Sequence, residues 1–127
     1  MIPGKYNITI HRGGTWSIGI NAENLDFTTY DEIRMQIRPP WVKGVVSSKP
    51  ALFTLSMTNG RITLEDEGLT VRLTVSAADT AAITFDEGIY DLELVQHADL
   101  TGDPVIPEEI VDKLLYGSVT VQGEITA

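Results

Sequence analysis

The 127-residue sequence predicts an all-β fold, an antiparallel β-sandwich of immunoglobulin-like type with about eight strands and one short helix after Val75. Three observations carry this. Apolar and polar residues alternate with a period of two in most segments, the spacing of a strand with one buried face. Gly, Pro, Asn or Asp bounds each alternating run. Strands do not alternate with long helical patterns, which excludes a parallel α/β layout, although a partly open barrel would share the periodicity. The length suits one core, so residues 1–127 are read as a single domain.

The elements follow in order. Tyr6–His11 alternates, Gly13-Gly14 supplies a turn and Trp16–Ile20 alternates again, which reads as a hairpin. After a loop through Thr29, the strand Ile33–Arg38 sets Ile33, Met35 and Ile37 on one face and Arg34, Gln36 and Arg38 on the other. Pro39-Pro40 ends it, because neither proline can donate to a ladder. Residues Pro39 to Pro50 form a loop that carries Trp41, Val42, Val45 and Val46 among basic residues.

Leu52–Met57 is the next strand. Asn59-Gly60 is a strong hairpin-turn signal that returns the chain through Ile62–Leu64. Glu65-Asp66-Glu67-Gly68 turns again, and Leu69–Val75 is the cleanest alternation in the chain. Ser76 is placed to cap a short helix reaching about Ile83, with Asp79 positioned to bond back three residues earlier. Ile89–Val95 is a strand, Pro107-Glu108-Glu109 can begin a helical turn, and Leu114–Val121 closes the domain with a reach toward Ile125.

These faces predict a core of Ile8, Ile10, Trp16, Ile18, Ile20, Met35, Ile37, Leu55, Ile62, Leu64, Val71, Leu73, Tyr90, Leu92, Leu94, Val119 and Val121.

Nine Lys and Arg against 18 Asp and Glu give a net charge of −9, which argues against nucleic acid as a partner. The charge is segregated along the chain. Ile33 to Leu64 holds Arg34, Arg38, Lys43, Lys49 and Arg61 with no acid, whereas from Glu65 to Asp112 Arg72 stands alone among acids. The division is read either as solvated loops or as two surfaces of opposite sign. No apolar run is long enough for a spanning helix and no signal peptide is visible, so neither membrane insertion nor export is expected. The absence of cysteine excludes disulfides, thiolate nucleophiles and Cys-type zinc sites.

Candidate catalytic groups are sparse, and the protein is read as non-enzymatic with no cofactor and no metal. His11 and His97 are far apart in sequence, and Ser17, Ser47, Ser48, Ser56, Ser76 and Ser118 lie in no nucleophile elbow. Arg12-Gly13-Gly14-Thr15 is read as a turn needing positive φ rather than a phosphate loop. Asp86, Glu87, Asp91 and Glu93 could serve as paired carboxylates only in a cleft the sequence does not indicate. Asp99, Asp103, Glu108 and Glu109 could cage calcium, but their spacing favours solvated loop acids. Trp16, on an alternating strand, is read as core. Trp41, in a Pro-bounded basic loop, is a candidate anchor, and an interface is expected at Arg38, Trp41, Val42, Lys43, Val45, Val46 and Lys49.

A resemblance adds to this reading. The runs Ser76 to Ile83, Gly88-Ile89-Tyr90-Asp91-Leu92-Glu93-Leu94, and Leu114 to Val121 with Glu124-Ile125-Thr126 resemble the small β-sandwich proteins of tailed bacteriophages. The similarity is to the amino-terminal domain of baseplate upper proteins, which attach fibre or receptor-binding proteins to the tail. Arg12-Gly13-Gly14-Thr15-Trp16, Met35-Gln36-Ile37-Arg38 and Asn59-Gly60-Arg61-Ile62-Thr63-Leu64 agree with it. It implies a non-enzymatic virion structural protein, a tail or baseplate adaptor assembled in the host cytoplasm. Its implied partners are other virion proteins, in a homo- or hetero-oligomer. Two departures stand out. Gln96 to Lys113 is a longer acidic excursion than the family's tight turn, and with Ala127 following the last strand an adaptor is expected to work as a separate subunit. A capsid decoration protein, or a small carbohydrate-binding module with Trp41 stacked on a sugar, is the alternative.

Overall fold

A computed structural model describes residues 3–22, 25–40, 51–102 and 104–123. Among these residues nine strands form: β1 (Gly4–Lys5), β2 (Ile8–His11), β3 (Trp16–Asn21), β4 (Glu32–Arg38), β5 (Phe53–Ser56), β6 (Ile62–Glu65), β7 (Thr70–Val75), β8 (Glu87–Gln96) and β9 (Ile110–Gln122). The single α-helix among them, α1 (Ala77–Ala81), follows Val75. The larger sheet runs β1-β9-β8-β4-β5 with β2 also on β9, and the smaller runs β3-β7-β6. The two sheets make a β-sandwich. Pairing is antiparallel except for β1 and β2, which lie parallel to β9.

The first hairpin does not form. β2 pairs β9 with Ile8 beside Val119, while β3 pairs β7 in the other sheet with Ile18 beside Leu73. Both strands carry an apolar face, and the turn at Gly13, with φ +83°, passes the chain between sheets so that the two faces meet across the core. Asn59-Gly60 likewise links β5 of one sheet to β6 of the other rather than closing a ladder. Its turn is held by the Asn59 side chain, whose Oδ1 accepts from the N–H groups of Ser56 and Arg61, each at 3.0 Å.

Other expectations shift locally. Ser76 Oγ caps α1 by accepting from the Asp79 N–H at 3.2 Å, but α1 stops short of Ile83 and the Asp79 carboxylate meets Arg61 Nη2 at 3.0 Å. No helical turn forms at Pro107-Glu108-Glu109. There Asp99 and Ile106 bridge through two main-chain hydrogen bonds, and β9 begins at Ile110 because its ladder with β8 continues to Gln96. Ile125 lies outside the described residues.

The core sits between the sheets. Met35, Ile37, Leu55, Leu92 and Leu94 from the larger sheet face Val71, Leu73 and Ile62 from the smaller, all essentially inaccessible. Trp16, Ile18, Ile20 and Leu64 are only half-buried, since β3 and β6 are the edges of the smaller sheet and their inward faces meet solvent at the sandwich sides. Phe27, Ile33, Val75, Ile83 and Val95 are buried as well, although the expected core omits them; Ile33 shares the apolar face of Met35 and Ile37, and Val75 that of Val71 and Leu73. Phe27 is delivered by a 3-10 turn, Phe27–Thr29, whose first N–H groups are met by Asp26 Oδ1 accepting from Thr28 at 2.9 Å. Leu69 is 56% exposed and β7 starts at Thr70, because Asp66, Glu67 and Gly68 all take positive φ and rotate the turn before the strand begins.

Candidate docking surface

The outer face of the larger sheet is built from the residues that alternate with its core. β4 lies directly against β8, with Arg34 opposite Glu93 and Gln36 opposite Asp91. Arg34 Nε reaches Glu93 Oε1 at 3.1 Å, and Lys113 Nζ on β9 reaches Asp91 Oδ2 at 2.6 Å. The hydrogen bond it donates to Asp91 raises the Lys113 ammonium above its ordinary range. Elsewhere Arg61 pairs with Asp79 at 3.0 Å and Arg72 with Glu65 at 2.7 Å. The basic and acidic stretches of the chain therefore meet within the molecule at Arg34–Glu93 and Arg61–Asp79.

Between these pairs runs a groove of about 240 Å³ lined by Gln36, Arg38, Ile89, Asp91, Glu93 and Lys113. It meets a second, of about 330 Å³, where Lys5, Asn7, Tyr116 and Ser118 join Ile89 and Asp91. Ile89 is 38% exposed and Tyr116 42%. The combined surface is open and mixed in character, with Ile89 where the two grooves meet and Tyr116 in the second.

The floor of the second groove is fixed by a buried tyrosine. Tyr90 Oη donates to the Tyr6 carbonyl at 2.5 Å, and burial pushes its phenol up to about 12. Gly117, opposite Tyr90, lets the Tyr6 main chain approach, since a Cβ there would lie 2.2 Å from Tyr6 O. Asn7 Oδ1 accepts from the Ser118 N–H at 3.1 Å. These contacts pin the break between β1 and β2 to the edge of the docking surface.

Of the expected interface residues, Arg38 is at the end of β4 in the first groove, where its Nη2 donates to Gln36 Oε1. Trp41, Val42, Lys43, Val45, Val46 and Lys49 lie outside the described residues, in the segment joining β4 to β5.

The other candidates are dispersed. His11 ends β2 beside Gln122, while His97 follows β8 at the opposite end of the larger sheet, where its N–H donates to Asp31 Oδ2 at 2.7 Å. Ser17 meets Thr74, Ser56 Oγ accepts from the Asn59 N–H, and Ser76 caps α1. Asp86, Asp91 and Glu93 each face a cation. Asp99 Oδ1 accepts from the Thr101 N–H and hydroxyl at 3.0 Å each, which hold its carboxyl below the usual range; Asp103 lies outside the described residues. Among the described residues no three His, Asp or Glu side chains gather as a metal site, and no helix is long and apolar enough to cross a membrane.

Arg12 is the residue the sequence pattern did not single out. Its side chain is 3% exposed and donates to the carbonyls of Ile83, Phe85 and Gly123 at 2.9, 2.8 and 2.6 Å. An arginine at the end of an alternating strand gives no periodic signal of burial, and only the convergence of three distant segments makes its site. No known family model matches the chain, and no curated protein matches it significantly.

Proposed function

We propose that this protein is a non-enzymatic virion structural protein of a tailed bacteriophage, an adaptor that docks fibre or receptor-binding subunits to the tail or baseplate. The observation that carries the reading is the outer face of the larger sheet. Two open grooves join at Ile89 and Asp91, bordered by β1 and by the end of β4 that leads into the Trp41 segment. A broad, open surface on which exposed apolar residues lie among charged ones suits protein docking better than enclosure of a small substrate. The resemblance of the strand and turn segments to baseplate upper proteins supplies the biological setting.

In this reading Tyr116, Ile89 and Trp41 give affinity, while Arg38, Lys43 and Lys49 give orientation and on-rate. Cross-linking of intact particles tests it. Cross-links from Lys5, Lys43, Lys49 and Lys113 should converge on one tail or baseplate protein, at a few copies per particle. Ile89→Arg and Trp41→Ala should each reduce incorporation while the isolated domain stays folded. Cross-links to the major shell protein at hundreds of copies would instead assign capsid decoration, and full incorporation of both variants would remove this face from the interface.

A further inference from the structure

The sandwich has four lateral edges, and they are not protected alike. On β5 the outward Thr54 carbonyl accepts from Asn59 Nδ2 at 3.0 Å and Arg61 Nη1 at 2.9 Å, and the Ser56 N–H donates to Asn59. Side chains thus occupy that edge. The β1 and β2 edge is broken at Tyr6-Asn7 and carries Lys5 and His11; β6 is four residues long and ends in Glu65. Breaks, charges and short length are the usual guards against edge pairing.

β3 has none of them. It runs six residues, Trp16–Asn21, in unbroken register with β7, and contains no charge, no proline and no bulge. Among the described residues no strand pairs its other side and no main-chain hydrogen bond outside the β7 ladder reaches it. Beside it opens a cleft of about 550 Å³, with Tyr6, Ile18, Ile20 and Leu115 as its apolar wall and Lys5 and Arg72 as its charged residues.

We propose that β3 pairs with β3 of a second copy of this chain, antiparallel about a two-fold axis through Ile18. Opposed residues in an antiparallel pair share a face, so an axis through a residue keeps inward side chains beside inward ones. Centred on Ile18, the register sets Trp16 opposite the partner's Ile20, Ile18 opposite the partner's Ile18, and Ser17 opposite the partner's Gly19. Two three-stranded sheets become one of six strands, and the half-buried Trp16, Ile18 and Ile20 gain apolar neighbours. The contact is isologous and therefore closes at two copies. Charge permits a second copy at this edge. A chain of net charge −9 repels itself, but β3 carries no acid and the charged side chains lining the adjoining cleft are Lys5 and Arg72, the latter paired with Glu65, so two copies meet here without bringing acid directly against acid. The pairing leaves the outer face of the larger sheet free, and its outcome does not depend on what docks there.

Sedimentation equilibrium of the wild-type chain from micromolar to millimolar concentration tests this. The mass should rise reversibly from 13.9 kDa toward twice that value. Ser17→Lys, which adds a charge to the exposed face of the pairing strand, should weaken association by roughly tenfold or more, whereas Thr63→Lys on β6, the same face at the far edge, should not. Because the chain has no cysteine, Ile18→Cys and Ser17→Cys report the register directly. The two Cys side chains at position 18 face each other across the axis and should form a disulfide under mild oxidation, faster than the diagonal pair at position 17. A mass that stays at 13.9 kDa throughout, equal weakening by both lysines, or faster cross-linking at position 17 would overturn the proposal.

Discussion

The Arg12 guanidinium meets Asp86 at 2.8 Å across a steep gradient of exposure, with the arginine side chain 3% accessible and the aspartate 79%. The two ends of this ion pair are therefore worth very different amounts. Arg12 ties the end of β2 to the segment after α1 and to the end of β9 through three carbonyls, which would be left without a donor in its absence. Asp86, largely exposed, accepts from the same Nη2 that already donates to the Phe85 carbonyl. Arg12→Ala is expected to destabilise the domain by about 3 to 5 kcal/mol, and Asp86→Ala by no more than about 1 kcal/mol, in urea denaturation. Equal losses would mean that the carbonyl bonds contribute little.

Gly117 should not tolerate even one added carbon. Its missing Cβ is the space through which the Tyr6 main chain passes, and backbone cannot retreat as a flexible side chain does. Gly117→Ala is expected to cost about 1 to 3 kcal/mol by overpacking and to release β1 and β2 from β9. Faster hydrogen exchange confined to residues 4–11 would report the release.

The two leucines of Leu69 and Leu92 separate buried from exposed alternation. Leu92, fully buried at the centre of β8, should lose about 2 to 5 kcal/mol on truncation to Ala. Leu69, 56% exposed, should change by less than about 0.5 kcal/mol, although it continues the apolar period of Val71, Leu73 and Val75. Thermal or urea melts of both variants check the contrast.

Tyr90 makes the fold sensitive to alkali. Its folded pKa, about 12, lies above the ordinary value of 10.0, because burial disfavours the phenolate and, after it, the neighbouring Tyr6 side chain does. A raised pKa gives stability that is complete below pH 10 and is lost as pH rises toward 12. Two units correspond to about 3 kcal/mol. Stability of the wild type should fall across this window more steeply than that of Tyr90→Phe. Parallel curves for the two proteins would show that this phenol is not the group responsible.

The sequence alone determined which segments are strands, because a period of two reports a buried face wherever a strand packs on one core. Seven of the eight expected strands coincide with an observed one to within two residues at each end; at the eighth, Leu114–Val121, β9 begins four residues earlier at Ile110. It also determined the Ser76 cap, a local hydrogen bond between neighbours in the chain. The central core positions Met35, Leu73 and Leu92 were legible for the same reason.

Only the tertiary structure decided which strands are neighbours. Gly13-Gly14 and Asn59-Gly60 look the same in sequence whether a turn closes a ladder or carries the chain to the facing sheet, and here both cross. That choice made β3 an edge, left Trp16, Ile18 and Ile20 half-buried, and placed Arg34 against Glu93 so that charges far apart in sequence neutralise one another. The candidate docking surface and the buried Arg12 depend on the same long-range pairings. Their residues belong to segments that local periodicity describes one at a time, and sheet pairing sets the distances among them.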